Sequence, residues 1–295
     1  NKNNNDKHSL RSRYMMVVND NSTQGSDSGQ DNQSETYYTE YQYQKSIEKY
    51  RINWTSGAVA ELVFAEAPLF GGKHEKQTTA LYTQLDKKFG EKLNFSTGAR
   101  YEQYSLAKLN LSAINMDLGA LANVSIGKPV FRAGVNYQAA EATYIRSSWG
   151  QGFRFPSMAE LFISANQAGI EIFPNPELNH EKGWSAEIGI KQGIKKGKWL
   201  GFIDVSAFLM QYDDMMEFSF NQWGDPDVDP LLGLGFKSVN IGNTQISGIE
   251  ISCNGQGKIT NNLALNLLAG YTYMNHFSLT PDEIYGYGFN HSQNT

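Results

Sequence analysis

The chain has 295 residues, a formal net charge of −5 and one cysteine. The negative charge removes the basic surface on which nucleic-acid binding depends, and Cys253 alone cannot form an intrachain disulfide. The mean hydropathy is −0.48, and no run of about 18 apolar residues could form a membrane-spanning helix. These values still allow membrane-spanning strands, which need only about 9–11 residues with apolar side chains at alternate positions.

Composition divides the chain into three parts. Residues 1–34 are polar and rich in Asn, Ser and Asp, which predicts a loop or a disordered segment. Residues 35–277 are rich in aromatic and β-branched side chains, which favours strands. Residues 278–295 are rich in Tyr, Gly and Asn and are interpreted as a loop segment. The chain begins at Asn1 with no signal peptide, so we interpret it as an excerpt of a longer precursor.

Apolar and polar side chains alternate in the middle part of the chain. In residues 202–211, for example, Ile203 and Val205 alternate with Asp204 and Ser206. The same period of two occurs in residues 93–103, 184–194 and 263–273, and it predicts strands with one apolar face. Less regular strands are expected near residues 37–50 and 52–66, which gives about ten strands in all.

The lengths of the predicted connections alternate as well. Short connections are expected at 89–91, 139–141, 195–198 and 257–261, and long ones at 105–129, 151–183, 221–245 and from 276 onward. Outer-membrane barrels with up-and-down topology have this pattern, because their periplasmic turns are brief and their extracellular loops are extended. A soluble β-sandwich could share the side-chain alternation, but it has no reason to sort connection lengths by side. The pattern therefore predicts an all-β, antiparallel, transmembrane barrel.

The densest group of motifs lies between residues 142 and 190. A strand runs into Gly152-Phe153-Arg154-Phe155-Pro156, and Asn175-Pro176-Glu177-Leu178 and Glu187-Ile188-Gly189 follow in order. Pro156 cannot sit in a central strand, so it marks the point where the chain leaves the sheet. As an ordered set, these segments resemble the TonB-dependent outer-membrane receptors, and the resemblance covers roughly residues 78–277. It implies a partial β-barrel whose plug and closing strands are missing from this chain.

The resemblance also implies a function. Receptors of this family reside in the outer membrane of Gram-negative bacteria, capture a scarce nutrient at their outer loops and import it with energy from the TonB complex. A ferric siderophore is the leading ligand class, with haem, cobalamin or an oligosaccharide behind it; a surface lipoprotein partner would indicate glycan import. No cofactor, nucleic acid or enzymatic activity is expected, since no catalytic motif is present. The alternatives are a passive porin or adhesin barrel and a soluble all-β carbohydrate-binding module.

Aromatic and cationic side chains in the loops 151–183 and 221–235 are the candidate ligand contacts, and they are Phe153, Arg154, Phe162, Phe173 and Trp223. The competing interpretation is that Arg154 and Glu160 only attach the loop to the barrel rim. Haem receptors of this family carry a histidine between the two motif segments. Residues 155–174 contain none, because His180 lies beyond the second segment.

Three alternating carboxylates, Asp225, Asp227 and Asp229, suggest oxygen ligands for calcium. The calcium loop of an EF-hand needs Gly at its sixth position and Glu at its twelfth, and Pro230 and Phe236 stand there instead. A solvated acidic loop is the competing interpretation.

Overall fold

The computed structural model describes residues 6–20, 22–23, 26–27, 31–110, 123–167, 169–258, 260 and 263–278. Strands dominate this part of the chain, together with one short α-helix and three 3-10 helices. In chain order the elements are β1 (Asp6–Asn19), β2 (Ser22–Thr23), β3 (Ser26–Asp27), β4 (Asn32–Ile47), β5 (Ile52–Ala67), β6 (Gly72–Phe89), β7 (Leu93–Asn110), β8 (Asn123–Ala140), β9 (Thr143–Arg154), α1 (Met158–Phe162), β10 (Ala165–Gln167), β11 (Ile170–Phe173), β12 (Glu181–Lys196), β13 (Trp199–Asp213), β14 (Met216–Gln222), β15 (Leu234–Asn240), β16 (Thr244–Lys258) and β17 (Ala264–Ser278).

Eleven of the described strands form one antiparallel sheet in the order β1-β4-β5-β6-β7-β8-β9-β12-β13-β16-β17. Each strand therefore pairs with the strands that precede and follow it in this series, which is the up-and-down topology that the sequence predicted. The other strands form a sheet of four, ordered β10-β11-β15-β14, and the small hairpin β2-β3. No helix in the described ranges is long and apolar enough to cross a membrane.

Connections of different length lie at the two ends of the large sheet. At one end, the turn end, they span residues 48–51, 90–92, 141–142, 197–198 and 259–263. At the opposite end, the loop end, they span 20–31, 68–71, 111–122, 155–180 and 214–243. From β6 onward the predicted alternation of short and long connections is confirmed. The exception at the loop end is the turn 68–71, which Gly71 closes with a left-handed φ of 71°.

One face of the large sheet is apolar. A row of facing residues crosses β9, β12, β13, β16 and β17, and its members are Ile145, Ile190, Val205, Ile251 and Tyr271. These side chains are not covered by protein: Ile190 is 45% and Ile251 is 42% exposed. Cross-strand partners in an antiparallel pair share a face, so the register makes this apolar face continuous from strand to strand.

The other face is charged, and an ion-pair network ties its strands together. Arg146 on β9 contacts Glu187 on β12 at 3.0 Å and also contacts Asp204 on β13. The guanidinium crosses Gly189 on the way, because a Cβ atom at that position would lie 2.8 Å from Cζ of Arg146. Gly189, in the predicted strand 184–194, therefore has a specific role. It leaves the space through which Arg146 reaches Asp204 on β13.

A sandwich with a dry centre is excluded by the exposure of the apolar face. Ile188, Ile203 and Leu265 are 59%, 39% and 43% exposed, so they do not converge between two stacked sheets. The buried apolar cluster lies at the loop end instead, and its members are Tyr104, Leu106, Leu161, Phe162, Leu178 and Met216. The core of this fold therefore belongs to the loops, while the sheet itself is one layer thick.

The prediction that residues 1–34 form a loop or a disordered segment is wrong for residues 6–19. These residues form β1, which pairs with β4 over its whole length from Asp6 opposite Lys45 to Asn19 opposite Asn32. The two side chains Tyr14 and Tyr37 pack with their ring centroids 5.0 Å apart. The strand was missed because polar residues such as Ser12 interrupt its apolar face, while backbone pairing does not depend on side-chain type. The sheet thus has eleven strands rather than about ten. Most of the predicted terminal loop, residues 279–295, lies outside the described residues.

The apolar face yields a direct test at Ile188, which lies near the middle of the 16-residue strand β12. If this face meets hydrocarbon, Ile188→Lys should lower the unfolding free energy in lipid vesicles by about 2–4 kcal/mol, because lipid cannot solvate an ammonium group. Ser148→Lys is the matched control, since Ser148 is opposite Glu187 on the charged face. An equal cost at both positions, measured by denaturant titration, would contradict the assignment of the faces.

Candidate functional site

The two longest connections fold together at the loop end. β10 and β11 from residues 155–180 pair through β15 with β14, both of which belong to residues 214–243. β11 and β15 run parallel, with Ile172 opposite Phe236. Asparagine side chains join the loops further: Asn175 Nδ2 donates to the Ser238 carbonyl at 2.8 Å, and Asn240 Oδ1 accepts from the Asn179 N–H at 2.8 Å. The two loops therefore form one structured layer.

Arg154, the last residue of β9, attaches this layer to the large sheet. Its Nε lies 2.6 Å from Glu181 Oε2 and its Nη1 lies 2.8 Å from Glu160 Oε1. Glu181 Oε1 in turn accepts the backbone N–H of Met216 at 2.6 Å. One arginine and two carboxylates thus connect β9, α1, β12 and the start of β14, as the rim interpretation of Arg154 and Glu160 predicted.

The carboxylate of Glu160 also fixes the start of α1. Ser157 caps the helix: its Oγ accepts the N–H of Glu160 at 3.2 Å, while Glu160 Oε2 accepts the N–H of Ser157 at 2.7 Å. Burial works against the charge of Glu160, but hydrogen bonds from Ser157 and Arg154 outweigh it, so the pKa of this carboxyl is lowered. Glu160 therefore stays ionised well into the acid range.

An apolar cluster holds α1 against the strands. Phe162 is 6% exposed, and its ring stacks on His74 of β6 with a centroid distance of 4.4 Å and an interplanar angle of 12°. His74 Nε2 lies 2.8 Å from the Phe70 carbonyl oxygen, so the ring is also held by hydrogen bonding. Leu161 and Tyr104 complete the contact between the helix and the ends of β6 and β7.

The structure separates the five residues that the sequence singled out. Phe153 and Arg154 line a recess beside the rim, whereas Phe162 is buried in the apolar cluster. Trp223 follows β14, where its Nε1–H donates to the Ser219 carbonyl at 3.1 Å and Lys237 Nζ lies 5.7 Å from the ring centroid. Phe173 is half-buried in β11. The five residues therefore do not form one cluster.

The recess beside the rim has a volume of about 460 Å³ and was not foreseen in the sequence. Arg132 of β8 and Tyr212 of β13 line it together with Arg154 and Trp184. A Cβ atom at Gly152 would meet nothing within 4 Å, so the glycines of the Gly150-Gln151-Gly152 segment help to keep this space open. Strand register brings Arg132 and Tyr212 to the recess, and no local sequence motif predicts this position.

Two of the three carboxylates that suggested calcium ligands, those of Asp225 and Asp229, bond to backbone groups of their own loop. Asp229 Oδ2 accepts the N–H of Asp225 at 2.6 Å, and Asp225 Oδ1 accepts the N–H of Asp227 at 2.9 Å. These carboxylates thus organise the turn of their own loop. Among the residues that the structure describes, no group of three or more His, Cys, Asp or Glu side chains is arranged to hold a metal ion.

Comparison with known proteins assigns the family. The chain matches the family described as "TonB dependent receptor-like, beta-barrel" over residues 1–294, so it belongs to that family of outer-membrane receptors. The eleven-stranded sheet is accordingly part of a transmembrane β-barrel, with the apolar face toward lipid and the charged face toward the lumen. The loop end is then the extracellular end.

Solved structures share this fold at low sequence identity. The hemophore receptor HasR of Serratia marcescens, solved as a double mutant with its hemophore HasA and heme, is 16% identical, with a TM-score of 0.59 over 92% of this chain and 49% of that one. The copper transporter OprC is 14% identical, with a TM-score of 0.67 over 92% and 43%. The siderophore receptor PirA of Pseudomonas aeruginosa is 9% identical, with a TM-score of 0.57 over 94% and 55%.

This chain therefore spans about half the length of the solved receptors that it resembles. No curated protein sequence matches it.

The rim contacts of Glu181 predict that Glu181→Gln loosens the loop layer without unfolding the barrel. Arg154 and the Met216 N–H bond to different oxygens of Glu181, and the amide that replaces the carboxylate would turn an NH2 group toward one of them. Hydrogen exchange in β14 should therefore accelerate roughly tenfold, equivalent to about 1.4 kcal/mol. Glu177→Gln, which changes an exposed carboxylate of the same loop, is the control and should leave exchange unchanged. Unchanged exchange in Glu181→Gln would show that the rim contacts do not hold the layer.

The lowered pKa of Glu160 predicts an acid-sensitive loop. A carboxyl with a lowered folded-state pKa stabilises the fold fully above its ordinary value of 4.5, and that contribution disappears as the pH falls through the lowered value. Proteolysis within residues 155–180 should therefore increase as the pH falls below 4.5. The acid-dependent part should shrink in Glu160→Gln, and equal acid sensitivity in both proteins would contradict the role of Glu160.

Proposed function

We propose that the protein containing this chain captures a scarce nutrient at the extracellular loop layer and imports it with energy from the TonB complex. A ferric siderophore is the proposed ligand. The family assignment carries the transport role, because its members are TonB-dependent receptors. The partners would be the TonB complex, through parts of the protein outside this chain, together with the lipid of the outer membrane.

The recess at the rim supports an anionic, oxygen-rich ligand. Arg132 and Arg154 provide guanidinium donors, which suit planar arrays of oxygen atoms, and Tyr212 provides aromatic surface in the same recess. A siderophore wraps its iron in oxygen ligands, and its complex often carries negative charge. Arg154 is already paired with two carboxylates, whereas Arg132 bonds to the neutral amide of Gln84. The charge of Arg132 is therefore less neutralised by neighbouring carboxylates than that of Arg154.

The alternatives fit less well. A soluble carbohydrate-binding module does not explain a wide apolar face whose side chains, such as Ile188 and Leu265, remain exposed. A passive porin or adhesin barrel does not account for the match to TonB-dependent receptors over residues 1–294. Haem import is not favoured by the loop, since residues 155–174 contain no histidine.

Uptake of radioactive iron tests the proposal. The intact protein would be expressed in a Gram-negative strain without siderophore receptors, and a panel of ferric hydroxamates and catecholates would be supplied. We expect uptake of at least one complex, and its loss when the tonB gene is deleted. Uptake that persists without TonB would contradict the energy source, and no uptake or binding of any siderophore in the panel would contradict the ligand class.

A substitution in the recess ties the activity to this site. Arg132→Gln should raise the dissociation constant of the transported complex roughly tenfold, because it removes a charge-assisted hydrogen-bond donor. Arg51→Gln removes an arginine at the opposite, turn end of the sheet and should leave binding unchanged. Equal binding by both variants would place the ligand elsewhere.

A further inference from the structure

A second, smaller cavity lies under the loop layer, on the lumenal side of β7. Its volume is about 210 Å³, and its walls include Tyr104, Phe155, Phe162, Leu178 and His180. Tyr104 belongs to β7, and the other four come from residues 155–180. The cavity is thus built where the longest motif-bearing loop meets the lumenal face of the barrel, and none of the functional roles described above uses it.

Within the part of the chain that the structure describes, two polar atoms in this cavity wall have no hydrogen-bond partner. Tyr104 is 5% exposed, yet no group in the described residues hydrogen bonds to its phenol oxygen. Nε2 of His180 is likewise buried without a hydrogen-bond partner in that part of the chain. Buried polar groups are almost always paired, because leaving them unpaired costs free energy. Two such atoms in one cavity therefore point to a ligand that supplies the missing partners.

Aromatic rings determine the shape of that ligand. Phe155 stacks on Tyr104 with ring centroids 4.2 Å apart and an interplanar angle of 13°, and it lies 5.9 Å from the ring of His180. Flat walls favour a planar guest. A volume of about 210 Å³ is below the range of about 300–1,000 Å³ typical of drug-sized ligands, so it suits a single ring rather than a whole large molecule.

Charged groups of both signs surround His180. Burial lowers the pKa of His180, and Lys128 and Lys182 lower it further, while Asp214 acts in the opposite direction. The imidazole is therefore neutral at pH 7, and the ammonium group of Lys182 lies 4.0 Å from Asp214 Oδ2. Glu177 also lines the cavity, but its side chain is exposed at the edge.

From this geometry we infer that the cavity binds one planar aromatic ring bearing a hydroxyl or carboxylate oxygen, held by Tyr104 and His180. The inference rests on the proposed function, since such a ring would be one moiety of the imported nutrient. It adds a distinct subsite: Arg132 and the rim recess contact the charged body of the ligand, and the cavity beneath the loop receives its aromatic arm. Phe162, a candidate from the sequence, then acts as one wall of this subsite.

The test uses the intact receptor in detergent with 2-hydroxybenzoate as the probe and cyclohexanecarboxylate as its non-aromatic counterpart. Binding is followed by saturation-transfer NMR and by titration calorimetry. We expect saturable binding of 2-hydroxybenzoate and at least tenfold weaker binding of cyclohexanecarboxylate, because the saturated ring cannot stack. Equal binding of the two acids, or no saturable binding of either, would overturn the inference.

Two variants locate the probe. Tyr104→Phe keeps the stack on Phe155 and removes only the hydroxyl, and His180→Ala removes the imidazole; each should weaken binding roughly three- to tenfold. Tyr50→Phe and His276→Ala are the matched controls, since both residues are exposed and lie outside the cavity. Unchanged affinity in Tyr104→Phe, with an unchanged β-sheet circular dichroism spectrum, would contradict the assignment.

This binding measurement needs neither TonB nor transport. Failure to bind the probe in a receptor that imports ferric siderophore would overturn the subsite alone. Binding of the probe by a receptor that imports no siderophore would overturn the proposed function and leave the subsite intact.

Discussion

Backbone hydrogen bonding between neighbouring strands is the interaction on which the rest of this structure depends. Lipid cannot bond to an N–H or a C=O group, so a strand that crosses a membrane must satisfy these groups through its neighbours. The eleven-stranded sheet does so by pairing its strands in order from β1 to β17, with register shifts at Lys73 and Gln138. With the backbone satisfied in this way, side chains are free to differ completely between the two faces. A single layer can then separate hydrocarbon from a wet lumen.

The loop end shows how a single-layer protein acquires a buried core. The sheet has none of its own, so the two long loops supply one by packing Phe162, Leu161 and Met216 against the ends of β6 and β7. Arg154 and its two carboxylates attach this layer at the rim. The recess at Arg132 lies among strands of the large sheet, and the cavity at Tyr104 lies where the layer meets β7; a binding function needs such spaces. Stability of the loops and availability of the site therefore depend on the same contacts.

The sequence correctly predicted the structural features that depend on the local periodicity of apolar side chains. Strands with strict alternation, such as residues 202–211, and the short turns between them were confirmed, because a sheet with one face toward lipid and the other toward water imposes a period of two. β1 was missed, since its face mixes Ser12 with Tyr14 and pairing partners are set by position in the sheet. The long-range register between strands could not be predicted from the sequence either. Nothing near Arg132, Tyr104 or Gly189 indicates which strands will stand beside them, so the recess, the cavity and the Arg146 network required the fold. The acidic triplet allowed two interpretations, because the same carboxylates can bind a metal or cap a turn.

Accessibility along β12 tests most directly whether one face meets lipid and the other meets water. Nitroxide labels at each residue from 184 to 191, in the intact protein in a bilayer, would report collision rates with oxygen, which concentrates in lipid, and with a water-soluble nickel chelate. The account predicts high oxygen collision at 184, 186, 188 and 190 and high nickel collision at 185, 187, 189 and 191. A profile without this two-residue period, or one in which the labels at Ile188 and Ile190 are shielded from both reagents, would contradict it.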